Sequence, residues 1–389
     1  MRRKKIYLDF AATTPVDPRV LRVMAPYFSQ KYGNSASLHS LGQEARMKLE
    51  DCREKIAKMI SAETSEIIFT SSATESNNLA LKGIAFANKD KGRHILISSI
   101  EHESVLQAGE WLKKEGFEVE ELKVDSYGLV DLDDLKRKIK KETILVSVIF
   151  VNNEIGTKQD IEKIGKICRK KGVFFHTDAV QAFGKIPIDV KKMNIDLLSA
   201  SSHKIYGPKG AAFLYCKKGI KIIPLLHGGG QEFGLRSSTV NLPSIVGFGK
   251  AAEICQREMK KETERIEKLR NFFVKEILSQ IKGVHLNGHP EKRVPHIVNF
   301  WLEGIEGESL VLRLDLEGIC VSTGSACSSF SLEPSYVLLA LGLKPWQAHG
   351  SLRFSFGRLT KKEDLIFTVK TLKKIVEDLR RISPFKLEK

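Results

Sequence analysis

The chain has no run of about eighteen apolar residues, so a membrane-spanning helix is not expected. Cysteine is sparse. Cys52, Cys168, Cys216, Cys255, Cys320 and Cys327 are the full set, and no two stand as a C-x-x-C pair. A zinc ribbon and a thioredoxin-like motif are thereby excluded, and no metal site is expected. Internal repeats and low-complexity linkers are also missing. The basic start, Met1-Arg2-Arg3-Lys4-Lys5, is followed by Ile6-Tyr7-Leu8-Asp9, too short an apolar stretch for a signal peptide. The expectation is a cytoplasmic protein that keeps its thiols reduced. Cys52, Cys168 and Cys255 fall in helical patterns and Cys216 in a strand, where each reads as a small packed residue; Cys320, in apolar Gly318-Ile319-Cys320-Val321, is read the same way.

Charge is abundant and unbalanced. Lys and Arg number 63 against 47 Asp and Glu, a net +16. The basic residues are spread over almost every helix rather than massed in one arm, and no nucleic-acid motif is present, so direct nucleic-acid binding is not expected. A basic face for an acidic protein partner stays open.

Short apolar runs alternate with amphipathic stretches. The runs are 67–69, 95–97, 144–150, 173–175 and 197–198; helical patterns cover 42–60, 75–88 and 160–171. Continuously apolar strands between helices argue for a mostly parallel sheet covered on both faces, with ligands outside the carboxyl ends of its strands. After Gly249 a charged amphipathic helix is predicted to about Gln280. Beyond it, 297–301 and 319–322 look like strands of a smaller α+β domain. The boundary is placed near residue 255: a large domain of 15–255, and a small one of 1–14 with 256–389.

Two stretches bear on chemistry. Leu197 to Ser202 runs into His203-Lys204 and a Tyr206-Gly207-Pro208-Lys209-Gly210 turn, with 211–216 as a returning strand. Lys204 therefore sits on a short loop between buried strands. Partial desolvation there frees an amine nucleophile suited to a Schiff base with an aldehyde cofactor, although a solvated surface lysine would look the same alone. The second stretch, Val173-Phe174-Phe175-His176-Thr177-Asp178, is a strand ending in a carboxylate. Pyridoxal phosphate needs a carboxylate against its pyridinium nitrogen, because the protonated ring is the better electron sink.

With these residues the chain resembles the class-V aminotransferase-type enzymes, and among them the NifS/IscS-type cysteine desulfurases. The resemblance runs from Tyr7-Leu8-Asp9-Phe10-Ala11-Ala12-Thr13-Thr14-Pro15 to Ser351-Leu352-Arg353-Phe354-Ser355-Phe356-Gly357-Arg358, nearly the whole chain. It implies a fold type I transferase, with a mostly parallel seven-stranded sheet and a smaller α+β domain. The implied cofactor is pyridoxal 5'-phosphate, held through Lys204 and Asp178.

Further roles come from the resemblance. Ser71-Ser72-Ala73-Thr74-Glu75 follows a strand and opens a helix; alone it reads as an N-cap, and within the family Ala73 and Thr74 grip the cofactor phosphate. His102 stacks over the cofactor ring and moves protons. Its neighbours Glu101 and Glu103 read as solvated charges and receive no role. Asn153 faces the cofactor and the substrate carboxylate, Gln181 bonds the ring oxygen, and Ser201 and His203 complete the phosphate cup. Thr239 reaches the phosphate of a second subunit, which implies a homodimer. Arg353 holds the substrate carboxylate in a bidentate fork. Cys327, in the Ser- and Gly-rich Ser322-Thr323-Gly324-Ser325-Ala326-Cys327-Ser328-Ser329, is the sulfur acceptor.

The activity implied is conversion of L-cysteine to L-alanine with a persulfide on Cys327, delivered to an iron–sulfur scaffold protein or a tRNA-thiolation partner. A selenocysteine lyase, or another aminotransferase-like enzyme of the same fold, is the alternative. Two positions depart from the family pattern. Ser238 stands where glycine is usual and is strained if that position needs a positive φ; Ser35 follows Asn34 where proline is common.

Overall fold

The computed structural model describes residues 5–324 and 333–383. In chain order its strands are β1 (Ile6–Tyr7), β2 (Ile67–Thr70), β3 (His94–Ser98), β4 (Glu118–Leu122), β5 (Thr143–Ser147), β6 (Phe174–Asp178), β7 (Leu197–Ser201), β8 (Ala212–Cys216), β9 (Val284–Asn287), β10 (Ile297–Leu302), β11 (Ile319–Cys320) and β12 (Ser351–Ser355). The apolar runs became strands because helices cover both of their faces. Every residue of β2, β3, β5, β7 and β8 is buried.

Seven strands form the main sheet, in the order β2-β8-β7-β6-β5-β3-β4. β8 pairs antiparallel with both its neighbours, and the other pairs are parallel. The helix Ala73–Asn88 lies on one face with the helix Glu103–Lys114 beside it. Ile84, Ile95, Leu145 and Leu214 are among the buried residues beneath them. On the other face the helices Ser40–Met59 and Leu242–Gln280 pack together, and Cys52, Phe183, Phe213 and Phe248 join that core.

A smaller sheet, β12-β10-β9, is antiparallel throughout. β1 pairs parallel with β11, so the start of the described chain lies against this part of the molecule. Phe273, Phe300, Phe354 and Leu8 share its core.

Some boundaries differ from the sequence reading. The long helix starts at Leu242, not after Gly249: the Asn241 side chain accepts from the Ser244 amide and Pro243 occupies the first turn, both helix-initiating features. β11 covers only two residues of the predicted 319–322 segment. β4 was not predicted as a strand; it is an edge strand in which Glu118, Glu120 and Glu121 leave only Val119 and Leu122 buried.

Candidate active site

Five loops meet outside the carboxyl ends of the sheet strands and around the residues that follow β1. They enclose a cavity of about 420 Å³. Ala73, Thr74, His102, Asn153, Asp178, Gln181, Ser201, His203, Lys204 and Arg353 all line it. Thr239 does not. It borders separate hollows, one of which it shares with Tyr32 and Ser35. Cys327 lies outside the described residues. Its chain departs from beside Arg353, where Ser322 forms an isolated antiparallel bridge to that residue.

Each side chain is held by local geometry. Asp178 ends β6, where the sheet's parallel strands open into the cavity. Its Oδ1 accepts from the Val180 amide at 2.9 Å and its Oδ2 from Asn77 Nδ2 at 2.7 Å. Ser72 caps the helix Ala73–Asn88 by accepting from the Glu75 amide, which leaves other first-turn amides at the cavity wall for an anion. His102 caps the next helix. Its Nδ1 accepts from the Ser104 amide at 3.1 Å, which assigns the ring proton to Nε2 in the neutral form.

Lys204 closes a short helical turn after β7. Its Nζ donates to the Ala11 and Ala12 carbonyls at 2.6 and 2.7 Å. Two residues on, Tyr206 has φ of +66°, a sparsely populated region for a tyrosine. Tyr206 is held there by its amide bond to Thr14 Oγ1 and by its hydroxyl, which accepts from the Arg358 amide. His203 Nδ1 lies 3.1 Å from Thr13 Oγ1. Burial, aided by the Lys204 charge, pushes the His203 imidazole down to about 3 and keeps it neutral.

Arg353, on β12, is almost fully buried. It pairs with Asp9 at 2.9 Å and donates to the Asn153 carbonyl at 2.9 Å. Its Nε has no partner among the described residues. Arg353 lines the cavity, and a guanidinium held there by two fixed partners suits an anion.

These donors fit pyridoxal phosphate: an amine for the aldehyde, a buried carboxylate for the ring nitrogen, and a helix start beside Ser201 and His203 for the phosphate. The Arg353 guanidinium at the cavity wall fits an amino-acid carboxylate alongside.

Several participants were not legible in the sequence. Glu101 is fully buried, not solvated. Its Oε1 accepts from Ser98 Oγ at 2.9 Å and from the Ile149 amide, while Oε2 has no partner among the described residues. Burial, with the Asp178 charge, pushes this carboxyl up to about 8. Asn77 and Ser104 also stand at the site, joined at 2.8 Å. Cys320 is half-exposed rather than core, with its thiol 3.9 Å from Asp315 Oδ1. Ser238 is not among the residues with positive φ, so serine is unstrained there; its hydroxyl meets Arg236. The loop before Thr239 is fastened by a buried ion pair, Arg53 to Glu232 at 2.6 Å, and Glu232 and Phe233 both have positive φ.

Comparison with known proteins agrees with this geometry. The family model described as aminotransferase class-V matches residues 6–366. A protein named cysteine desulfurase IscS from Dictyoglomus turgidum is 51% identical over 386 residues, covering 99% of this chain and 98% of that one. A solved NifS-like protein superposes with a TM-score of 0.91 at 39% identity, covering 96% of this chain and all (100%) of the other. Another, titled SspA in complex with cysteine, gives 0.82 at 38% identity, covering 91% and 99%. The chain belongs to the class-V aminotransferases, the pyridoxal-phosphate enzymes of fold type I, and within them to the IscS-type cysteine desulfurases.

Proposed function

We propose that the chain converts L-cysteine to L-alanine and passes the sulfur to Cys327 as a persulfide. The observation that carries this reading is one cavity whose wall holds Lys204, Asp178 and Arg353 together. When bound, pyridoxal phosphate supplies the electron sink that lets the Cα–H bond of an amino acid ionise.

The remaining work falls to side chains. Asp178 holds a proton on the ring nitrogen, and its own two hydrogen bonds keep the carboxylate aimed. Ala73, Thr74, Ser201 and His203 bind the phosphate, with Thr239 contributed from a second copy of the chain. Gln181 donates to the ring oxygen. Arg353 and Asn153 orient the substrate carboxylate. Lys204 anchors the aldehyde and, once released from it, takes the Cα proton; the Ala11 and Ala12 carbonyls are positioned to receive its N–H groups. His102 shuttles a proton through Nε2. The Cys327 thiolate then bonds to the substrate sulfur as the Cβ–S bond breaks. The electron pair left on Cβ takes up a proton, Lys204 returns a proton to Cα, and alanine leaves.

The other thiols support the choice of Cys327. Burial pushes Cys52 and Cys255 up to about 11 and Cys168 and Cys216 up to about 12, which disfavours a nucleophilic thiolate. In this reading residues 15–255 form the cofactor domain, and 1–14 with 256–389 form the domain that carries Cys327. The protein works as a cytoplasmic homodimer and delivers sulfur to an iron–sulfur scaffold or another acceptor protein.

The test is incubation with L-cysteine, with alanine quantified and the protein mapped by mass spectrometry. Alanine formation with a persulfide at Cys327 is expected. Absence of alanine, or a persulfide confined to another cysteine, would refute the proposal.

A further inference from the structure

Behind the Lys204 wall lies a second, smaller cavity of about 60 Å³, lined by Lys185, His296, Cys255 and Thr263 among others. Nothing in the mechanism above uses these residues. Lys185 follows β6 by a short turn. Its Nζ donates to Gln181 Oε1 at 2.8 Å and lies 3.1 Å from His296 Nε2. His296 Nε2 in turn stands 3.3 Å from Gln181 Oε1. Gln181 Nε2 donates to the Ala11 carbonyl at 2.9 Å, and that same carbonyl accepts from Lys204 at 2.6 Å. A continuous hydrogen-bonded chain thus runs from His296 through Lys185, Gln181 and Ala11 to Lys204.

We infer that Lys185, braced by His296, is a positioning residue that fixes which face of the Gln181 amide meets the large cavity. An amide can turn over, exchanging its carbonyl for its NH₂ group. As an ammonium Lys185 has only donors, so it binds the carbonyl end; the turned-over amide would set two donors together there and would set its carbonyl against that of Ala11. The NH₂ end is then committed to the cavity side. One of its hydrogens goes to Ala11, and the second is the one that a bound ring oxygen can accept.

The surroundings suit this role. His296 is buried, and burial with the Lys185 and Arg270 charges pushes it well down, so its neutral Nε2 can accept from Lys185. Part of the Lys185 side chain reaches solvent, but its amine is desolvated enough to be pushed down to about 7, with the Lys204 charge adding to the effect. An amine donates to both acceptors whether or not it carries the extra proton. Thr263, on the long helix, donates to the Lys185 carbonyl at 3.1 Å and fixes the backbone. His296 immediately precedes β10, and its carbonyl accepts from the Phe356 amide. The chain of bonds therefore ties Gln181 to the smaller sheet.

This inference rests on the pyridoxal phosphate reading of the site, and the test separates the two. Cofactor dissociation constants and visible spectra are measured for the wild type, Lys185→Met, Gln181→Ala and the double variant, and separate samples of each are labelled with borohydride. The label should map to Lys204 in the wild type; a label elsewhere would overturn the site reading itself. Once the separate samples map the label to Lys204, unlabelled Lys185→Met should bind the cofactor about ten-fold more weakly, the worth of one hydrogen bond to a bound group. Its visible band should move in the same direction as that of Gln181→Ala. In the double variant the loss should be no greater than in Gln181→Ala alone, because Lys185 acts through that amide. Additive losses, or an unmoved band in Lys185→Met, would overturn the positioning role. Lys185→Ala, which opens onto the neighbouring cavity and admits water, carries the same cycle if the methionine variant does not fold.

Discussion

Asn77 donates an amide hydrogen to Asp178 across 2.7 Å, with both side chains buried, and its second amide hydrogen goes to Ser104 Oγ at 2.8 Å. Both donors are thereby spent, which fixes the amide and gives the Asp178 carboxylate one of its two hydrogen bonds among the described residues. The other comes from the Val180 backbone. A carboxylate that must keep a proton on a ring nitrogen needs this stiffness, because a small turn of its plane would lose the ring.

Replacement of Asn77 by alanine should therefore cost more than a surface change. The loss of a hydrogen bond to a buried charged group predicts destabilisation of about 1–3 kcal/mol, read from denaturant unfolding. Desulfurase turnover should fall with it. Asn77→Asp should be worse, since two carboxylates would face each other and one would have to hold a proton. An Asn77→Asp protein with wild-type stability and turnover would show that Asp178 does not depend on this contact.

Glu101 sets a pH dependence whose sign can be worked out. Burial and the Asp178 charge raise its carboxyl from the ordinary 4.5 to about 8 in the folded chain. Between these values the folded state binds a proton that the unfolded state has released. Stability therefore falls as pH rises through that window, by at most about 1.4 kcal/mol per unit from this group. Glu101→Gln keeps an oxygen for Ser98 and the Ile149 amide but has no proton to lose. The stability of the glutamine variant relative to wild type should thus grow between pH 5 and pH 8, measured as the difference in unfolding free energy. A difference that stays constant, or shrinks, would mean that Glu101 is not held protonated.

What the sequence conveyed depended on how each residue is buried. β5 was legible because a strand covered on both faces is apolar along its middle, from Ile144 through Val146. β4 was not, because its exposed Glu118 and Glu121 break the apolar run and leave only Val119 and Leu122 buried. Asp178 and Lys204 could be picked out because one ends a strand and the other lies just past a strand end, where parallel sheets open toward ligands. Asn77 and Lys185 could not. They serve through neighbours, and neither their residue type nor their spacing tells which side of a helix or turn will face the cavity. Cys320 misled for a related reason: it sits among apolar residues, but strand alternation buries Ile319 and leaves the next side chain half-exposed.

Two cysteines near the end of the chain make the most discriminating pair of variants. Cys320 lies on β11 with its thiol near Asp315, and burial with that carboxylate raises its pKa against the opposing pull of Lys5. It is accessible in part but poorly ionised, so it should react slowly. Cys327 belongs to the segment that leaves Ser322 beside Arg353, the residue proposed to hold the substrate. In the proposed mechanism chemistry at Cα and chemistry at sulfur use different groups: Lys204 and Asp178 serve the first, and Cys327 the second. Cys327→Ala should consequently keep the cofactor and its absorbance and still bind cysteine, yet lose alanine formation, because no thiolate remains to take the sulfur. Cys320→Ala should cost at most on the order of 1 kcal/mol in stability and leave turnover largely intact. Iodoacetamide should label Cys327 ahead of the other five thiols, since reaction follows thiolate access. Normal persulfide formation in the Cys327→Ala protein, or lost turnover in Cys320→Ala alone, would transfer the sulfur-accepting role away from Cys327.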